Sequence, residues 1–209
     1  MNRFILVLTI GLFACNSTTD KSKCVSKKLV SKDSLSLSER QNSETTNQIP
    51  KVNCTRGKAE PIINKIVYPK TTFVLQPDSI SGIETVTFDN GDKLTIKNWG
   101  CEYYVLTFRF ETSRFQRDTT DLKYWFNTAT GLVTEIYNGV ESPIDIKKGI
   151  TQLKNHIDSD QPNNCKNLKL GDEIDFGESE IRDFVSVDRI EKLTDKKYAI
   201  EVSFATGPL

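Results

Sequence analysis

Histidine is almost missing from this chain. One residue, His156, serves 209 positions, so a Ser-His or Cys-His mechanism would have to run through it. It stands between Asn155 and Ile157 near the end of an apolar periodic stretch, where an ordinary surface position accounts for it. Other chemical signatures are missing too. The chain has no G-x-x-x-x-G-K-[ST], no G-x-G-x-x-G and no G-x-S-x-G, which leaves nucleotide cradling and the nucleophile elbow without support. No two cysteines are close enough for a C-x-x-C knuckle, and one histidine cannot complete a zinc ligand set. We therefore expect no metal and no cofactor. Net charge is absent as well, with 28 basic against 28 acidic side chains. Such a balance exerts no long-range pull on polyanions, so no nucleic-acid partner is expected. Long apolar runs are missing: the uncharged stretch Phe4 to Ala14 has eleven residues, and a membrane-spanning helix needs about 20.

That short run nevertheless carries the clearest message. Arg3 places a positive charge before it, and a small residue, Ala14, ends it, which is the layout of an export signal. The stretch Leu12-Phe13-Ala14-Cys15 resembles the lipobox of bacterial lipoproteins. Phe13 departs from the small residue usual at its position. The resemblance implies cleavage before Cys15, a thioether-linked diacylglycerol on its sulfur and an acylated amine, palmitate being a typical chain. Several acyl chains on one residue anchor firmly, since each buried methylene contributes about 0.8 kcal/mol. Asn16, with no aspartate after the anchor, favours the outer over the inner membrane. The expected address is thus the cell envelope, with the membrane as one partner. Cleavage removes Arg3 and leaves 27 basic against 28 acidic side chains.

Low hydrophobic content, 37%, has a local cause. Residues 15–50 are rich in Ser, Thr, Lys, Asn and Gln and hold no aromatic residue, so they bury too little apolar surface to offset their ordering entropy. They read as a lipid-anchored, disordered tether that would hold the rest roughly 30–35 Å from the membrane. The expected organisation is a signal peptide over 1–14, the tether over 15–50 and a single domain over 51–209. Four cysteines follow the anchor: Cys24, Cys54, Cys101 and Cys165. Export makes disulfides the default reading, and four cysteines allow three pairings. Cys101 is expected to join Cys54 or Cys165.

Within the domain, Ile83–Asp89 and Lys93–Lys97 alternate at period two around Asn90-Gly91, a hairpin signal. A two-residue turn would mix the faces, whereas an odd loop pairs Val86 with Leu94 or Ile96, so a three-residue loop with left-handed Gly91 is expected. Cys101 to Glu111 reads as the longest strand, with Tyr104, Leu106, Phe108 and Phe110 on one face and a mixed other face. From Leu122 to Tyr137 the apolar spacing changes to three and four residues, which predicts a helix over 120–138 capped by Thr119, Thr120 or Asp121. A hairpin around Thr128-Ala129-Thr130-Gly131 remains open there. Ile146, Ile150, Leu153 and Ile157 predict a second helix, started by Ser142-Pro143. Alternation returns over Phe184 to Phe204, with a turn at Thr194–Lys197. Strands, then helices, then strands predict an α+β fold: an antiparallel sheet with one or two helices packed on one face.

Two features are candidates for binding. Trp99 and Tyr103 gather at the start of the long strand, where aromatic rings stack on a sugar or anchor a protein partner. The acidic stretch with Asp172, Glu173 and Asp175 offers a surface to a basic partner. It lacks the ligand pattern of a calcium loop, because Ile174 and Phe176 occupy positions that need oxygen donors. Arg109, Arg114 and Arg117 stand ready to face anions. No catalytic residue is singled out. The expected function is a non-enzymatic binding or scaffolding domain that meets an unknown envelope protein. One alternative is an inhibitor or immunity-type lipoprotein blocking a cell-wall or toxin enzyme. A second is a carboxylate-based hydrolase of envelope glycans.

Overall fold

A computed structural model describes residue 54 and residues 56–159, 168–177 and 181–208. All belong to one compact unit, Thr46–Leu209. Cys15, expected as an anchor, the segment 15–50 expected as a tether, Cys24 and Cys165 lie outside the described residues.

The elements follow in the order β1 (Thr71–Leu75), β2 (Gly82–Thr87), β3 (Lys93–Trp99), β4 (Tyr104–Thr112), α1 (Leu122–Ile136), a 3-10 turn (Tyr137–Gly139), α2 (Ile146–Ser159), β5 (Ile174–Asp175), β6 (Ile181–Lys192) and β7 (Tyr198–Pro208). The strands form one antiparallel sheet in the order β1-β2-β3-β4-β7-β6-β5. After the meander β1–β4 the chain makes both helices, returns at the far edge and walks back until β7 closes on β4. The α+β class with helices on a sheet is what the structure shows.

Apolar alternation sets which face the helices cover. Leu94, Ile96, Leu106, Phe108, Ile200, Val202 and Phe204 are fully buried, each such side chain contributing about 1.5–3 kcal/mol through removal from water. Phe108 and Phe204 meet edge to face at 5.7 Å, and Trp125 of α1 lies 4.8 Å from the ring of Tyr198. Helix α2 reaches the sheet through Gly149, where a Cβ would fall 2.6 Å from the Phe204 ring. Only a glycine permits that approach.

Local signals explain the element ends. The β2–β3 loop is Asp89-Asn90-Gly91, with Gly91 at φ +85° and Val86 opposite Leu94; the Phe88 N–H donates to the Asp92 carbonyl and closes it. This is the three-residue loop that facial continuity demands. Residues 122–136 are helix, not hairpin: the Asp121 carboxylate accepts from the Tyr124 N–H and caps it. Gly131 does not break it, because it faces open space on the exposed side. The cap of α2 is Asp145, accepting from the Lys148 N–H at 2.9 Å. Ser142-Pro143 instead shapes the preceding bend, where the Ser142 hydroxyl accepts from the Ile144 N–H.

Two strand expectations need correction. The strand expected to be longest begins at Tyr104, not Cys101, since Gly100 adopts φ +98° and turns the chain through Tyr103, and its nine residues are fewer than the twelve of β6 and the eleven of β7. The acidic stretch is not wholly a loop. Ile174–Asp175 pairs with Val185 and Phe184 as the edge strand β5, and Phe176 enters the core against Phe204.

Candidate functional site

The face opposite the helices carries the site. At one end of the sheet a groove of about 760 Å³ is lined by Trp99, Gly100, Cys101, Glu102, Tyr103, Val105, Glu173, Arg182 and Phe184. The register explains the meeting: Val105 stands opposite Trp99 on one side and Ala205 on the other, and Ala205 stands opposite Phe184. Four strands therefore deliver their end residues to one place.

The turn that carries two of the three rings is held from several directions. A Cβ on Gly100 would lie 2.1 Å from the Tyr103 carbonyl oxygen, so the β3–β4 turn requires glycine there on steric as well as conformational grounds. Cys101 is joined to Cys54 by a disulfide with Cα atoms 5.1 Å apart. This is one of the two pairings expected for Cys101. Arg56 donates to the Trp99 carbonyl at 2.6 Å and to the Asn98 side-chain oxygen at 2.7 Å, and its guanidinium lies 4.8 Å from the Tyr104 ring centre.

The rings themselves are oriented. Trp99, 38% exposed, donates its indole N–H to the Thr107 hydroxyl at 3.1 Å, and Lys97 Nζ lies 4.7 Å from its ring centre. Thr107 Oγ1 lies 2.9 Å from Ser203 Oγ, and Ser203 donates to the Asp188 carboxylate, which also accepts from Ser186 at 2.6 Å. Asp188 is the extra residue of a β-bulge between Val187 and Arg189. The bulge turns the carboxylate across to the neighbouring strand, and the chain of donors running from Trp99 to Asp188 is complete. The Tyr103 ring lies against Gly207, where a Cβ would come within 2.2 Å of it, and meets Phe184 edge to face at 6.5 Å. Arg182 stands 4.8 Å from the Phe184 ring centre and binds Asp175 at 2.6 Å and Glu173 at 2.5 Å. Those two carboxylates, Asp175 first, raise the guanidinium above its ordinary value.

Of the five residues expected at a binding surface, the structure brings Trp99, Tyr103 and Glu173 into one groove and ties Asp175 to its rim through Arg182. Asp172 is exposed and does not line it. The acidic stretch is thus half neutralised by its own arginine. The three arginines expected to face anions are engaged as well. Arg109 contacts Glu201 at 2.5 Å, Glu191 at 3.3 Å and Glu111 at 3.7 Å on the open face. Arg114 contacts Asp92 and Glu135, and Arg117 contacts Asp121. Phe184 and Arg182 were not singled out in the sequence. Phe184 was legible as an alternating aromatic, but only the β6–β7–β4 register places it beside Trp99.

No family model, curated protein or solved structure matches this chain, so the reading of the groove rests on its geometry. What the groove offers is two aromatic rings presented in fixed orientations, a third beside them, and an Arg182–carboxylate pair on one wall. That arrangement suits recognition of a partner with a flat apolar surface and hydrogen-bonding groups.

Proposed function

We propose that this chain is a lipid-anchored protein of a bacterial cell envelope whose folded domain is a binding module, not an enzyme, and that it holds a partner of the envelope in the Trp99–Tyr103–Phe184 groove. The observation that carries the reading is the investment in orienting Trp99: its N–H, its ring face and the backbone of its turn are all fixed by other residues. A ring left to pack casually needs none of this. Preorganised aromatics surrounded by polar rims are what binding surfaces use as anchors, because little side-chain entropy is lost on contact. The lipobox-like Cys15 and the polar tether support the address, placing the groove within reach of other envelope components.

The inhibitor reading draws on the acidic residues Asp172, Glu173 and Asp175. With Arg182 holding two of them, their pull on a basic enzyme is weak, and the aromatic groove is the better-supported surface.

The test uses the full chain purified with its anchor and exposed to envelope extract. Trp125 is fully buried, whereas Trp99 is exposed, so a change in the emission of the exposed tryptophan reports occupancy of the groove. A saturable partner whose capture is lost in Trp99→Ala and Phe184→Ala, with the fold intact, supports the proposal. Capture unaffected by both variants sinks it. Acyl labelling that persists in Cys15→Ala sinks the anchor.

A further inference from the structure

The floor of the Trp99–Phe184 groove is central in the sheet. β3, β4 and β7 each have a strand on both sides, so the N–H and C=O groups there are committed to the ladders. An extended peptide laid across this floor finds no open edge to pair with, and such pairing is what gives added strands their affinity. The walls offer donors and acceptors of another kind. Arg182 donates through Nε to Asp175 Oδ1 at 2.6 Å and through Nη1 to Glu173 Oε2 at 2.5 Å. Its Nη2 and the second oxygen of each carboxylate hold no hydrogen bond among the described residues. All three side chains reach water, at 29% for Arg182, 44% for Glu173 and 61% for Asp175. A hydroxyl both donates and accepts, so a guanidinium N–H beside a carboxylate oxygen suits a ligand that carries neighbouring hydroxyls.

The rings set the spacing. Tyr103 and Phe184 meet at 68°, which makes a corner for one flat face. Trp99 stands apart from that corner: three strand steps of about 4.8 Å, roughly 14 Å, separate its backbone from that of Phe184. Lys97 lies over the Trp99 ring but does not line the groove, so the groove side of the ring is left uncovered. Charge narrows the ligand further. Glu102 and Glu173 line the groove against Arg182 alone, and this excess of negative charge repels an acidic ligand. We propose that the groove takes a neutral β-1,4-linked oligosaccharide, with one sugar stacked on Trp99, another in the Tyr103–Phe184 corner, and hydroxyls bonded to Arg182 and Glu173. This deepens the proposed function and rests on its reading of the groove as the binding site. A sugar with equatorial hydroxyls turns flat C–H faces to aromatic rings and its hydroxyls to the polar wall. The β-1,4 linkage holds such sugars in an extended ribbon, which suits an open groove running across four strands. The groove's volume of about 760 Å³ falls within the span of about 300–1,000 Å³ usual for small-ligand sites.

The test titrates the full chain, held in a polyoxyethylene detergent that carries no sugar, with three tetrasaccharides: cellotetraose, chitotetraose and the β-1,4-linked glucuronate tetramer. Calorimetry and the emission of Trp99 are read together. Saturable binding of at least one neutral tetrasaccharide is expected. Trp99→Ala and Phe184→Ala, with the fold intact, should each weaken it at least about tenfold. The acidic tetramer should bind at least about tenfold more weakly than cellotetraose, and Glu173→Gln, at an exposed side chain, should narrow that gap. Glu173→Gln also serves should either ring variant fail to fold. Binding of neither neutral tetrasaccharide overturns the proposal. So does saccharide binding that Trp99→Ala and Phe184→Ala leave unchanged, or an acidic tetramer bound as tightly as the neutral one. Capture of an envelope protein or peptide that is lost in both ring variants, with no saccharide bound, overturns the saccharide and leaves the groove as the binding site. Capture unaffected by both variants sinks that reading too.

Discussion

The indole N–H of Trp99 donates to the hydroxyl of Thr107, directly across from Lys97 on the neighbouring strand. This one bond couples the groove to the polar chain that ends at Asp188. Thr107→Val keeps the shape and removes the acceptor. It leaves Trp99 to water and Ser203 with one partner fewer. A loss of about 1 kcal/mol is expected, together with lower fluorescence anisotropy for the exposed tryptophan. Unchanged anisotropy would mean that packing, not the hydrogen bond, orients the ring.

Glu84 and Glu111 should give stability opposite dependences on pH. Glu84 is 2% exposed; burial raises its carboxyl, opposed by bonds from the Ile62 and Ile63 N–H groups and by Lys65. A raised carboxyl stabilises the fold most below the ordinary glutamate value, and that contribution is lost as pH rises through the folded value. Glu111 is lowered, chiefly by its bond from Lys197, so its contribution is present above the ordinary value and is lost as pH falls. Glu84→Gln retains an acceptor for both N–H groups and removes the ionisation. Its melting temperature relative to the parent should climb between pH 4 and pH 7. A flat difference across that interval would show that Glu84 does not titrate there. Glu84→Leu strands two N–H groups and should cost about 1–3 kcal/mol for each.

Arg109 lies among Glu111, Glu191 and Glu201. Arg109→Met keeps the stem on the sheet and leaves three carboxylates without their shared cation. Destabilisation of about 1–2 kcal/mol at neutral pH is expected, shrinking as acid protonates the carboxylates. Denaturant titrations at pH 7 and pH 4 measure it, and an equal loss at both would assign the effect to lost packing of the stem instead.

How much of this was legible in the sequence depends on range. The Asn90-Gly91 turn, the core face of β4 and the second helix are written in spacing a few residues long, and they stand where the patterns put them. The helix over 122–136 was ambiguous because Thr, Val, Ile, Trp and Phe favour strands locally. Burial of Trp125, Phe126, Ala129 and Val133 on one helical stripe overrides that preference. The groove was only half legible. Trp99 and Tyr103 declared themselves by proximity. Phe184, Asp188, Ser203 and Gly207 sit far along the chain, and only strand register brings them there. Arg109 misled because its two hydrogen-bonded carboxylates, Glu191 and Glu201, lie on strands about 80 and 90 residues later.

Gly207 and Gly131 make a pair of predictions with opposite signs. Gly131 lies on the exposed side of α1, and a Cβ there meets nothing within 4 Å. Gly131→Ala should therefore stabilise the fold by about 0.5–1 kcal/mol, because the helix loses a flexible position and gains no clash. At Gly207 the same methyl would arrive 2.2 Å from the Tyr103 ring. The ring must then leave the sheet surface or push β7 away from it, an overpacking that costs about 1–3 kcal/mol. Tyr103 belongs to a turn closed by Gly100 and a disulfide, so the backbone has little room to follow. The side chain should swing into the groove and fill part of it. Gly207→Ala should accordingly lower the melting temperature, shift the emission of Trp99 and weaken partner capture together, while Gly131→Ala raises the melting temperature and leaves capture alone. If Gly207→Ala destabilises the chain but binds its partner normally, Tyr103 supports the turn and does not take part in recognition.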